Sequence, residues 1–363
     1  NLFMLSKTIK TFLIIKILFV LFLPHTFANN IKPLQKGEFE FDTYYTFDFS
    51  RLTSGVYKDD KLKGKGKLYL PKDLRKDDKI PLIIILHTSG GIKSNREVNY
   101  AKYLTKNGYA SFIVDTYGIR KCNASGSGWR NCISKISVLD FATDAYMALN
   151  LLSSHPNIDN NKISLFGFSY GGDAAMLSLD LDIKNIFSPD AKPFNVVVSI
   201  YGACNNIFDI SKTIGSDFYY IVGSKDISYD RDLCLEIQDQ LKKAGSKYEE
   251  FIIEGAVHGY DASFPVENIS TSEIPDIFNC KFKFYKDGTV IETTKNTKIK
   301  LDSKVPLKDK FKIRKNYIFK EIKKCYGNRS LQMGSQGFAV KKTKELFLEI
   351  LNNWNIKIFL QEF

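Results

Sequence analysis

The sequence predicts an α/β fold: a mostly parallel central sheet covered by helices on both faces, with a late insertion. Three observations carry that expectation. Ile80 to Leu86, IPLIIIL, is a continuous apolar run, as a strand buried on both faces requires. From there to Ile253, strand-like and helix-like segments alternate, the pattern of parallel strands joined by crossover helices. Residues 265–330 then break the rhythm with dense lysine and a hairpin-like alternation.

The elements follow in order. Glu38-Phe39-Glu40-Phe41 and Phe47-Asp48-Phe49 alternate as an edge strand or hairpin would. Lys67 to Leu70 predicts a strand stopped by Pro71. Asn95 to Asn107 has helical spacing and a Gly108 stop. Strands are expected at Tyr109–Val114, Lys162–Phe166, Phe194–Ile200, Phe218–Val222 and Tyr248–Ile253. Helices are expected at Val138–Ser153, Asp173–Asp180 and Asp230–Lys243, the last closed by Gly245. Lys281 to Leu301 reads as a hairpin turning at Asp287-Gly288. A final helix, Lys341 to Asn353, is expected to pack back on the sheet.

The 363 residues are 44% hydrophobic and 13% aromatic, enough for a substantial core, which excludes disorder along the whole chain. The net charge of +12 is spread along the chain with many Asn and Ile, not clustered as nucleic-acid binders cluster it, so no nucleic-acid partner is expected. Lys7 and Lys10 precede an apolar stretch, Thr11 to Leu23, and Thr26-Phe27-Ala28 fits signal-peptidase cleavage after Ala28. Residues 1–28 are therefore expected to be a signal peptide and 29–363 one domain, periplasmic or secreted, with no membrane attachment after cleavage. An uncleaved anchor is the alternative. All six cysteines lie beyond the cut, and an even number in an exported chain reads as disulfides. Sequential pairs, Cys122–Cys132, Cys204–Cys234 and Cys280–Cys325, each close a modest loop. No C-x-x-C spacing with a nearby His suggests a metal site, and no metal or cofactor is expected.

The chemistry concentrates in Gly167-Phe168-Ser169-Tyr170-Gly171-Gly172, between a strand and a helix. A strand turning sharply into a helix lifts a nucleophile into a cleft, and the close chain approach demands flanking glycines. The N–H of Tyr170, at the helix N-terminus, would face a developing oxyanion. A serine needs a base. His258, in Gly255-Ala256-Val257-His258-Gly259, follows the last core strand and is the candidate; His155, before Pro156, reads as structural. Asp226, after the strand ending Val222-Gly223, would orient it. Asp230 and Asp232 compete for that role, but suit the first turn of the next helix better. The loop Leu86-His87-Thr88-Ser89-Gly90-Gly91 would supply the second oxyanion N–H, from Thr88 or alternatively Ser89. His87 reads as architectural or as a substrate contact. Tyr117 and Tyr170 are candidates to line the acyl pocket, and Arg120 to bind a substrate carboxylate or to form a structural ion pair.

These pieces together resemble the dienelactone hydrolase family of the α/β-hydrolases. The resemblance spans roughly residues 60–265 and the last helix, through LHTSGG, FIVDTYGIRKC, SLFGFSYGGDAA, VGSKD and AVHGYD. It implies the α/β-hydrolase fold and a Ser169–Asp226–His258 triad. Exported members carry an Asp-x-Tyr/Phe-x-x-Arg stretch before a Cys, matched by Asp115, Tyr117, Arg120 and Cys122, and the resemblance supports pairing Cys204 with Cys234. The founding enzyme has Cys at the nucleophile and Glu at the position of His87, so dienelactone itself is not the expected substrate. The insertion at 265–330 follows His258 directly and is expected to overhang the cleft and set specificity. The function implied is an exported serine hydrolase acting on a small-molecule carboxylic ester through an acyl-enzyme. A peptidase of related fold and a catalytically silent binding protein are the alternatives.

Overall fold

The computed structural model describes residues 31–269, 280–294, 296–317 and 331–361. The expected leader and Cys325 lie outside the described residues. An apolar run without alternation has to bury both faces, and Ile80–Leu86 (β3) does so: Leu82 to Leu86 are all fully inaccessible. Around it an eight-stranded sheet forms from Gly37–Tyr44 (β1), Lys61–Tyr69 (β2), β3, Ala110–Val114 (β4), Ile158–Phe168 (β5), Val196–Ile200 (β6), Asp217–Gly223 (β8) and Tyr248–Ile253 (β9). Its order is β1-β2-β4-β3-β5-β6-β8-β9. The β1–β2 and β2–β4 pairs are antiparallel and every later pair is parallel.

Helices cover both faces, as the alternating pattern requires. Glu97–Lys106 (α2) and Gly337–Gln361 (α10) pack on one face, where Tyr100, Leu104, Phe347 and Ile350 meet Ile83, Ile85, Phe166 and Val198. Val138–Leu152 (α5) and Tyr170–Leu177 (α6) pack against each other and against β3 and β5. Ser137 opens α5 with a capping box closed by Asp140. Asp230 caps Arg231–Lys243 (α8), the role expected of it. Leu181–Phe187 (α7), Thr116–Ile119 (α3) and Gly128–Lys135 (α4) are short helices that the sequence pattern does not announce.

One strand expectation is corrected. The Phe47-Asp48-Phe49 alternation is not a strand, because the Asp48 carboxylate accepts the Arg51 N–H and starts a helix at Phe49–Ser54 (α1). The insertion holds a second sheet, β13-β12-β11-β7, from Thr297–Lys300, Thr289–Glu292, Phe282–Phe284 and Asn206–Phe208. The β11–β12 hairpin turns at Asp287-Gly288 as expected, with Gly288 at φ 84°. The strand β11 also runs parallel to β7, which belongs to the main body. Leu307–Asn316 (α9) follows, and Glu267–Ile269 (β10) pairs with Leu331–Met333 (β14). Disulfides join Cys122 to Cys132 and Cys204 to Cys234. Cys280 is disulfide-bonded, and its expected partner lies outside the described residues.

Candidate active site

The turn from β5 into α6 places Ser169 at φ 49°, a conformation that L-residues avoid. Such a residue costs roughly 1–3 kcal/mol and persists only where its surroundings enforce it. Here the enforcement is close packing. A Cβ on Gly167 would lie 1.9 Å from the Gly171 carbonyl oxygen, and one on Gly171 would lie 2.6 Å from that of His87. Only glycine lets the two chains approach, and Ser169 is left on the tip. Its N–H donates to the Ile200 carbonyl at 2.8 Å, which pins the turn to β6.

The three residues expected to act together converge. Ser169 Oγ is 3.1 Å from His258 Nε2, and His258 Nδ1 is 2.8 Å from Asp226 Oδ2. Asp226 and His258 are buried, and Ser169 opens to the cavity. The other oxygen of Asp226 accepts the Ser228 N–H at 2.8 Å and the Ser228 hydroxyl at 2.6 Å. Burial pulls the His258 imidazole toward neutrality, but the charge and hydrogen bond of Asp226 outweigh it and hold its pKa above the ordinary value. The His258 loop is clamped from outside: its N–H donates to the Gln332 carbonyl at 3.2 Å, and the Val257 N–H to Gln336 Oε1 at 2.8 Å.

The oxyanion side needs one adjustment. The Tyr170 N–H makes no hydrogen bond among the described residues and sits at the α6 N-terminus, as expected. The Thr88 N–H, however, donates to the Glu97 carboxylate at 3.3 Å. The alternative, the Ser89 N–H, has no such partner among the described residues, and both residues line the cavity. Glu97 also accepts the Lys93 N–H and Arg96 Nε, so a buried carboxylate organises the whole loop.

Three residues offered as substrate contacts lie elsewhere. Arg120 has an inaccessible side chain, bound to Asp144 at 2.6 Å and to the Tyr44 carbonyl at 2.9 Å; its structural ion pair is the reading that holds. His87 is fully buried, donates from Nδ1 to its neighbour's carbonyl at 2.7 Å, and packs on the Tyr117 and Phe141 rings. Burial lowers its pKa, so it is a neutral architectural group. Tyr117 packs behind it and is buried too, away from the cavity wall. Tyr170 does line the cavity; its hydroxyl donates to the Ile136 carbonyl at 2.9 Å and accepts from Arg314 at 2.8 Å.

Sequence reasoning missed several groups around the site. Ser228 stands two residues past Asp226, a spacing that could have flagged it. Asp173 lines the cavity from α6, accepting the Ala203 N–H at 2.7 Å and Asn206 Nδ2 at 2.9 Å, and burial pushes its pKa up to about 7. Tyr201 packs edge-on against His258 and donates to Asp261, which also faces Arg96 at 3.7 Å. No local motif announces those long-range partners. Among the described residues, no three His, Cys, Asp or Glu side chains converge as a metal-ligand set.

The cavity over Ser169 measures about 760 Å³. Its walls include Phe282, Phe284, Val290 and Leu301 of the insertion, so that segment does border the cleft.

Comparison with known proteins places this arrangement. A stretch of the bee (Apis mellifera) venom dipeptidyl peptidase 4 is 25% identical over 132 residues, which is 34% of this chain and 16% of that protein. The chain thus spans about a sixth of the length of that curated relative. Among solved structures, a protein described as a dienelactone hydrolase of Klebsiella pneumoniae is 16% identical with a TM-score of 0.46, covering 61% of this chain and 88% of its own. A dienelactone hydrolase-like promiscuous phosphotriesterase from metagenomic libraries is 14% identical with a TM-score of 0.43, covering 62% and 84%. Thermogutta terrifontis esterase 2 is 17% identical with a TM-score of 0.43, covering 55% and 80%. Family profiles match residues 65–272, more than half of the chain and the part that carries β3, the Ser169 turn, Asp226 and His258, and on that match the chain belongs to the dienelactone hydrolase family.

Proposed function

We propose that the protein is an exported serine hydrolase that cleaves carboxylic esters of small molecules through an acyl-enzyme. The observation that carries this reading is the unbroken chain of contacts from Ser169 Oγ through His258 to Asp226. His258 Nε2 takes the hydroxyl proton as Ser169 Oγ bonds to the ester carbonyl carbon. The carbonyl electrons move onto oxygen, stabilised by the Tyr170 N–H and by an N–H of the Thr88–Ser89 loop. His258 then gives its proton to the departing alkoxide. Water repeats the sequence on the acyl-enzyme and releases the acid. Asp226 keeps the imidazole in the tautomer that leaves Nε2 free to accept. The Cys122–Cys132 and Cys204–Cys234 disulfides and the apolar leader support export, because such bonds persist in oxidising compartments.

The test is hydrolysis of p-nitrophenyl esters by the wild type and by Ser169→Ala. Turnover is expected to fall by at least about a thousandfold in the variant with the fold unchanged by circular dichroism. A folded wild type that cleaves no ester and takes no fluorophosphonate label would favour a silent binding protein instead. The likeness to part of a dipeptidyl peptidase supports amide cleavage as a second reading, which dipeptide p-nitroanilides in the same assay would reveal.

A further inference from the structure

The cavity over Ser169 is far larger than a short acyl group needs; its 760 Å³ lies in the range that encloses a drug-sized ligand. Two structures absent from the core sheet wall it. One is α4, held by Cys122–Cys132, which offers Trp129 and Ile133. The other is the β11–β13 ribbon, which offers Phe282, Phe284, Val290 and Leu301.

These walls are fixed to each other and to the scaffold. The Phe282 N–H donates to the Asn205 carbonyl at 2.7 Å, and the Asp209 N–H to that of Phe284 at 3.1 Å, so the ribbon continues β7. Arg314 on α9 donates to the Ile133 carbonyl at 3.0 Å and to the Tyr170 hydroxyl at 2.8 Å, joining insertion, α4 and nucleophile helix. A wall built before the substrate arrives discriminates, because no binding energy goes into ordering it. Among the described residues the lining carries one carboxylate, Asp173, hydrogen-bonded by Ala203 and Asn206, against the cationic side chains of Lys93, Arg96, Arg130 and Arg314. A cationic alcohol therefore meets more positive than negative side chains on the described wall.

We infer that the substrate is an ester with one bulky, apolar, non-cationic half, and that the β11–β13 ribbon selects it. The inference rests on the ester-hydrolase reading and names its substrate class. Each methylene buried in such a chamber should raise kcat/KM by about fourfold.

The test uses the full chain, produced in an oxidising compartment, and two ester series. One varies the acyl chain of p-nitrophenyl esters from acetyl to dodecanoyl. The other varies the alcohol of acetate esters over the same lengths. One series is expected to climb with length, and a choline ester of equal size to fall below its neutral counterpart. Val290→Phe should shorten the preferred chain through KM, read as the ratio of long-chain to short-chain kcat/KM within the variant. Phe284→Ala should lengthen it, and serves alone if Val290→Phe does not fold. Flat profiles in both series, or an unmoved length preference in a variant that still labels, would overturn the inference. Loss of all ester turnover and all labelling in the wild type would instead strike the hydrolase reading beneath it.

Discussion

Ser228 bonds Asp226 Oδ1 through both its N–H and its hydroxyl, and that hydroxyl lies 3.4 Å from His258 Nδ1. A hydrogen bond to a carboxylate spreads its charge and is worth about 1.5–3 kcal/mol. Removing the hydroxyl concentrates the charge of Asp226 on His258 and raises the imidazole pKa further. Because the base works only when neutral, the wild-type acid limb of kcat/KM should lie above the ordinary histidine value near 6.5. In Ser228→Ala that limb should move to still higher pH while kcat drops about tenfold or more, and Ser228→Thr should restore both. In Asp226→Asn the limb should move the other way, below the wild-type position, with a much larger loss of rate. A drop in rate with an unmoved limb would reduce Ser228 to packing. The convergence of Ser169, His258 and Asp226 was legible from the sequence because each sits at a strand end inside a short motif. Ser228, Glu97 and Asp261 were not, because their partners come from distant segments and no spacing records such contacts.

The meeting of β3 with α6 decides whether the site assembles. Gly171 faces the Leu86 and His87 carbonyls, so the oxyanion loop and the nucleophile helix touch backbone to backbone. In Gly171→Ala a methyl would stand 2.7 Å from one of those oxygens and 2.6 Å from the other, and backbone would have to move. Overpacking of this kind costs about 1–3 kcal/mol. Thermal unfolding should report that loss, and kcat should fall with KM little changed, because the shift separates oxyanion donors from nucleophile. Unaltered kcat would mean that the loop follows the helix as one body. The same elements show why the sheet could be read in advance. Ile80–Leu86 matches its expected limits because a strand buried on both faces must be apolar without interruption, whereas Tyr248–Ile253, an edge strand with two glutamates, was readable from the glycine turns that bound it. The short helices α3 and α4 escaped, since a Cys122–Cys132 bridge and the buried Arg120 hold them rather than any periodicity. The expected strand at Phe47–Phe49 failed because alternation over three residues is weaker than one aspartate cap.

Across the whole molecule, the question is what joins the first strands to the catalytic body. Arg120 is the tie. Its guanidinium bonds Asp144 at 2.6 and 3.2 Å, Asp140 at 3.4 Å and the Tyr44 carbonyl at 2.9 Å, and lies 5.0 Å from the Tyr45 ring centre. Asp140 in turn accepts the N–H groups of Thr46 and Phe47. The pair is buried, so its net worth is small, but breaking it strands two carboxylates without a cation. Arg120→Met keeps an unbranched apolar stem and removes the guanidinium with its charge, and should cost about 3–5 kcal/mol at neutral pH. The pH dependence separates charge from packing. Burial already raises the Asp144 pKa despite the arginine, and losing Arg120 raises it further. A carboxyl whose folded pKa exceeds its unfolded value loses stability as pH rises through the folded value and recovers it below the unfolded one. Urea unfolding of Arg120→Met against wild type should therefore show a larger deficit at pH 8 than at pH 5. An equal deficit at both would mean that the guanidinium acts by filling space between β1, α3 and α5. The first β-strands would then depend on shape rather than on this buried charge to reach the core.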